Sequence, residues 1–167
     1  MPDTLARPPA ASLSTLPGAA LIRRIRTMLL WAIGTAFVYQ GISTASKGGC
    51  PGGVTGDGGF IDANGDPTEA ASMCVNLTLR PSSIVYVAIA FIVILAITRV
   101  LRASDSQSAA LKTLDRAIIV IVAVTVAWTA LTMLSFFAIP IDSWNGVEPF
   151  ELPFTVGHVE VDVSPMQ

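Results

Sequence analysis

The sequence predicts an all-α membrane protein of three transmembrane helices, N-terminus in the cytoplasm and C-terminus outside, with a small extracytoplasmic β-ribbon and loop region. Three observations lead there: long apolar runs, scarce charge, and basic residues gathered at alternate ends of those runs. Of the 167 residues, 52% are hydrophobic and 13% charged. An ordinary soluble domain carries roughly 25% charged residues. Mean hydropathy is +0.64. The length allows one small bundle and no second domain of useful size. The formal net charge of −2 means little as a sum, because the charges are segregated along the chain.

Residues 1–26 form a cytoplasmic segment holding Arg7, Arg23, Arg24 and Arg26. The first apolar run follows at 27–45, the second at 82–100 after Pro81, and the third at 117–139, stopped by Pro140. Each has about the 20 residues that a helix needs to cross the hydrocarbon core. Arg99, Arg102, Lys112 and Arg116 lie around the 101–116 connection, whereas the 46–81 loop and the 140–167 tail hold only Lys47 and Arg80. The positive-inside rule therefore places 101–116 in the cytoplasm and the loop and tail outside. A basic leader followed by Ser43-Thr44-Ala45 also resembles a cleavable signal peptide, but the apolar stretch is longer than a usual signal core.

The third helix is predicted to begin near Asp105, because Ser104 and Gln107 have the spacing of a capping box. No ionisable residue falls deep in any run. That counts against a pump or proton-coupled transporter formed by this chain alone. Ala32–Ala36, Gly41–Ala45 and Ala123–Ala127 are pairs of small residues four apart, a spacing that lets helices approach closely.

Outside, Cys50 and Cys74 share one loop on the oxidising side and predict a disulfide. Closing a loop of this size is worth about 3 kcal/mol in the chain-entropy model. Within it, Asp62, Asn64 and Asp66 alternate as in calcium loops and are candidate metal ligands. Pro67 and Met73 nevertheless replace the glycine and glutamate that an EF-hand requires. Residues 74–80 and 154–163 alternate apolar and polar side chains over strand length, which predicts a paired ribbon. His158, Glu160 and Asp162 then share one strand face, as candidates for metal or partner binding. Trp144, Phe150 and Phe154 follow the third run, either as an interfacial aromatic belt or as a patch covered by a partner.

These features predict a non-enzymatic accessory or assembly subunit of a larger membrane complex, acting through its acidic outer loop and tail. A self-associating channel is the alternative, its pore lined by threonines and Gln40 and its acidic rim attracting cations. The partners expected are the lipid bilayer and other membrane protein subunits, with no nucleic acid and no cofactor. The alanine- and valine-rich, lysine-poor composition fits a multi-pass protein of a bacterial plasma membrane.

Overall fold

The computed structural model describes residues 18–103, 106–141, 144–146, 149–152 and 156–166. In chain order these form α1 (Ala19–Ile42), β1 (Ala45–Gly49), β2 (Gly53–Val54), β3 (Phe60–Ile61), β4 (Pro67–Thr68), β5 (Met73–Arg80), α2 (Ser83–Ala103), α3 (Gln107–Phe137) and β6 (His158–Pro165). The fold is therefore mixed rather than all-α. It combines three helices with two antiparallel three-stranded sheets, ordered β1-β5-β6 and β2-β3-β4.

The three-span expectation is also corrected. Among the described residues, two helices are long and apolar enough to cross a membrane, α2 over Ser83–Arg102 and α3 over Gln107–Phe137. α1 is excluded by its own composition. Arg23, Arg24 and Arg26 stand near its start, and Gly34, Thr35, Tyr39, Gln40 and Gly41 dilute the apolar residues of its second half. The helix also stops at Ile42, where the Ser43 N–H closes the last turn on the Tyr39 carbonyl at 3.0 Å. Ala45, which the sequence places in the first helix, instead opens β1.

α2 begins after Pro81, with the Ser82 hydroxyl accepting the Ile84 N–H at 3.4 Å. The Ser82 N–H donates to the Tyr39 hydroxyl at 3.0 Å in a buried contact, so the start of α2 is tied to the end of α1. α3 is capped by Ser106, whose hydroxyl accepts the Ala109 N–H at 3.3 Å. The cap thus lies two residues after the predicted one, and Ser104 and Asp105 fall outside the described residues. α3 ends ahead of Pro140, which has no N–H to continue a helix.

The interior is arranged in three successive clusters. At the basic end, Met28 and Leu114 are fully buried among Ala96, Val100, Ala110 and Ala117, where the alanines let the helices approach. The Arg24 guanidinium pairs with the Asp115 carboxylate at the same end and joins α1 to α3. In the middle, Ala32, Tyr39, Val85, Ile89 and Ile121 pack together, and Tyr39 meets Tyr86 edge to face at 5.6 Å. Of the three small-residue pairs, only Ala32–Ala36 packs inside this cluster; Ala123, Ala127 and Gly41 are exposed.

The third cluster joins sheet to helix. Val75, Leu77 and Leu79 of β5 are 0–1% exposed and pack against Phe136 and Ile139 at the end of α3. Alternation explains the choice: Asn76, Thr78 and Arg80 point to the opposite face. The predicted ribbon gains a third strand, because β5 is flanked by β1 as well as β6, with Lys47 opposite Leu77 and Val161 also opposite Leu77. The short segment ASKGG has no apolar alternation to announce a strand; pairing with β5 makes it one. Cys50 and Cys74 form the predicted disulfide, one step beyond the Gly49–Val75 pair of the β1–β5 ladder. The small β2-β3-β4 sheet lies inside the loop that it closes. Gly52 opens that sheet at φ +94°, where an added Cβ would stand 2.1 Å from the Ile61 carbonyl oxygen.

Replacing Leu77 by alanine is expected to cost about 2–5 kcal/mol, the usual range for a fully buried leucine. Thermal unfolding of the detergent-solubilised protein, followed by near-UV circular dichroism, measures it. A loss below about 1 kcal/mol would show that the sheet is not seated on α3.

Candidate functional site

The β1-β5-β6 sheet at the end of α3 brings most of the singled-out residues together. Its inner face is held by the apolar cluster and by a charge that the sequence analysis did not single out. Lys47, on β1, extends over the end of α3 and donates to the Ile139 carbonyl at 2.6 Å and the Phe137 carbonyl at 3.4 Å. Its ammonium also lies 5.2 Å from the centre of the Phe136 ring. The last carbonyls of a helix lack intrahelical donors and carry the negative end of its dipole, so a cation there is stabilising. The one signal available was that Lys47 is the only lysine in the loop between the first two runs.

Trp144 and Phe150 stand on this inner side as well. Their rings meet edge to face at 5.9 Å, and both pack against the Val75–Leu77–Leu79 cluster. They cover the chain's own core, which leaves less of them to serve as an open partner patch. Gly146 brings this segment onto the disulfide loop, at φ +75° and with space for no Cβ beside Pro51. Phe154 lies outside the described residues.

The outer face of the sheet is polar. Register sets Arg80 opposite His158, Thr78 opposite Glu160 and Asn76 opposite Asp162. Arg80 Nε meets Glu160 Oε2 at 2.8 Å, while His158 Nε2 stands 3.8 Å from Glu160 Oε1. Glu160 is thus engaged by arginine. Such exposed pairs contribute about 0–1 kcal/mol each. Asp162 has no ion pair among the described residues.

Asp62, Asn64 and Asp66 sit in the turn between β3 and β4. The Asp62 carboxylate accepts the N–H groups of Asn64 and Asp66, each at 2.8 Å, through the same oxygen. Its second oxygen receives the Asn64 side-chain amide at 3.4 Å. These are the bonds of an Asx turn, and they hold the carboxylate against its own turn. Among the described residues, no group of three or more His, Cys, Asp or Glu side chains is placed to hold a metal ion.

Two larger cavities lie among the described residues. One, of about 460 Å³, lies between α1 and α3 and is walled mainly by Leu30, Trp31, Val38, Ile42, Val122 and Val126. Thr125 and Thr129 also border it, but their hydroxyls donate to the Ile121 and Thr125 carbonyls at 2.8 Å. The other, of about 580 Å³, lies where Ser82, Ser83 and Trp128 approach Gly157 and His158. Trp128 Nε1 is buried without a hydrogen-bond partner.

Comparison with known proteins returns no match to a family model, a curated protein or a solved structure.

The Asx turn has a pH signature. The Asp66 N–H, then those of Asn64 and Gly65, hold the Asp62 carboxyl below the usual aspartate range, against a smaller opposing effect of desolvation. A lowered folded-state value means that the turn is fully stabilised above the ordinary aspartate range and loses that stabilisation as pH falls through the lowered value. The Asn64 and Asp66 amide shifts should therefore titrate together, with a midpoint below that of a free aspartate. The Asp62→Asn variant should abolish the transition. A midpoint at or above the ordinary value would contradict the assigned bonds.

Proposed function

We propose that this protein is a non-enzymatic accessory or assembly subunit of a membrane complex, anchored by its α2–α3 hairpin and engaging a partner protein through the β1-β5-β6 sheet. The observation that carries the reading is the seating of β5 on the end of α3. It makes the sheet continuous with the helices, so that a polar face and two strand edges are held at one fixed height and orientation. A binding surface of this kind loses little entropy when a partner docks.

The anchor rests on apolar exposure. Ile84, Val87, Phe91 and Ile94 on α2, and Ile119, Val126, Leu131, Leu134 and Phe137 on α3, are each at least 56% exposed. Soluble monomers rarely leave so much contiguous apolar surface in water. Arg99, Arg102, Lys112 and Arg116 gather at the hairpin turn, which assigns that end to the cytoplasm and the sheet to the outside. The disulfide suits an oxidising outer compartment. A bacterial plasma membrane, crossed by the hairpin, is the setting we assign.

The channel alternative has less support. Thr125, Thr129 and Thr132 each spend their hydroxyl proton on a carbonyl within α3, and apart from Thr35 and Tyr39 the other residues lining the cavity between α1 and α3 are apolar or glycine. A lumen lined this way would offer ions few donors or acceptors.

Extraction of the tagged protein from its native membrane in mild detergent, followed by native mass spectrometry, tests the proposal. A second protein retained at fixed stoichiometry is expected. Recovery of the chain only as a monodisperse single species would overturn it.

A further inference from the structure

The outer edge of β6 supplies the strongest lead. The Met166 N–H donates to the Ser72 carbonyl at 2.8 Å, one step beyond the Met73–Pro165 pair of the β5–β6 ladder. Antiparallel ladders alternate hydrogen-bonded with non-hydrogen-bonded pairs. The bonded positions of β6 are therefore Ser164, Asp162, Glu160 and His158. Val159, Val161 and Val163 turn their N–H and C=O groups the other way, toward an edge on which no described strand lies. Pro165 has no N–H and closes the row.

The side chains along this edge specify what it would accept. On the inner face, Val159 and Val161 belong to the apolar cluster, and Val163 continues their row at 40% exposure. On the outer face stand Glu160 and Asp162, and the latter has no cation among the described residues. A strand laid beside β6 would meet apolar neighbours and acidic neighbours alternately.

A second copy of the chain does not suit this edge. Antiparallel pairing of β6 with itself through the three valines places Glu160 opposite Asp162 in the centred register. Sliding the register one pairing step either way places Glu160 opposite Glu160, or Asp162 opposite Asp162. Like charges in facing positions destabilise a ladder. The acidic residues thus act against self-pairing, as charged residues on exposed edges commonly do, while favouring a basic strand.

We infer that the β6 edge is the docking site for an extended segment of the partner protein, which adds to the β1-β5-β6 sheet as a fourth strand and alternates β-branched with basic residues. The inference rests on the accessory-subunit reading and names the surface and the chemistry of recognition. Main-chain hydrogen bonds to the three valines give the attachment, and the Asp162 carboxylate, beside a Glu160 already paired with Arg80, selects the charge.

Hydrogen exchange on the full chain in phosphatidylcholine nanodiscs tests it, with a nine-residue peptide alternating valine and lysine as the probe. At saturation this peptide should slow exchange of the Val159, Val161 and Val163 amides about tenfold or more. The same peptide with glutamate in place of lysine should leave them unchanged. Val163→Pro removes one outward N–H without touching the bonds to β5, and should abolish protection while thermal unfolding stays near that of the wild type. Asp162→Lys, at an exposed position, should weaken the lysine peptide by about tenfold or more. Failure of the lysine peptide to bind, binding without protection of the three amides, or protection that grows with protein concentration alone would each overturn the inference. The two readings fail separately. A native complex that survives both substitutions removes the edge assignment and keeps the accessory subunit, whereas a wild-type chain without any partner removes the accessory subunit itself.

Discussion

The contact between β5 and the end of α3 governs the rest of the architecture. Val75, Leu77 and Leu79 leave water together by packing on Phe136 and Ile139, and each such side chain contributes about 1.5–3 kcal/mol when fully buried. A short antiparallel ribbon is marginal in water without an apolar surface to rest on. Here the helix end supplies that surface. Once β5 is seated, β1 and β6 pair along its two sides, the disulfide closes the β1–β5 hairpin, and the Trp144–Phe150 pair covers the remaining apolar flank.

Electrostatics reinforces the same joint. Packing a sheet over a helix terminus threatens to strand the last carbonyls away from water, and an unpaired buried acceptor is costly. Lys47 answers that need from β1, which is why a strand with almost no apolar content holds its place at the sheet edge. At the other end of the helices the Arg24–Asp115 pair joins α1 to α3. The bundle is thus tied at both ends by ion-mediated contacts and filled between them by alanines, aromatic rings and branched side chains.

Much of this was visible in the sequence wherever a single local period decides structure. The apolar runs marked α2 and α3, and strict alternation marked β5 and β6, because one face of each strand must be buried. Cys50 and Cys74 were readable from compartment logic. The failures have physical causes too. β1 takes its conformation from the strand beside it, since nothing in ASKGG itself prefers extension. The end of α1 was misplaced by three residues because Ser43, Thr44 and Ala45 are as compatible with a helix end as with a strand start. α1 resembles a span because its arginines precede the apolar stretch, and the residues that dilute that stretch, Gly34, Thr35, Tyr39, Gln40 and Gly41, are uncharged. The turn at Asp62 is legible only in part, because an Asx turn and a cation loop share the spacing of Asp62, Asn64 and Asp66, and spacing does not show the Asn64 and Asp66 amides bonded to one carboxylate oxygen. The packing of Trp144 and Phe150 on the sheet cluster was not legible, because sequence cannot say whether an aromatic residue after a helix folds back on its own core.

On the accessory-subunit reading proposed above, the working part is the sheet, which is packed on the end of α3 rather than carried on a loop. Rigid attachment is what would let strand edges and a polar face meet a partner in one orientation. Distance measurements by pulsed electron paramagnetic resonance, with spin labels introduced as unnatural amino acids at Asn76 and Ser108 so that the disulfide stays intact, test this directly. A single narrow distance distribution in lipid nanodiscs is the predicted result. A broad distribution, as a tethered domain would give, would contradict it.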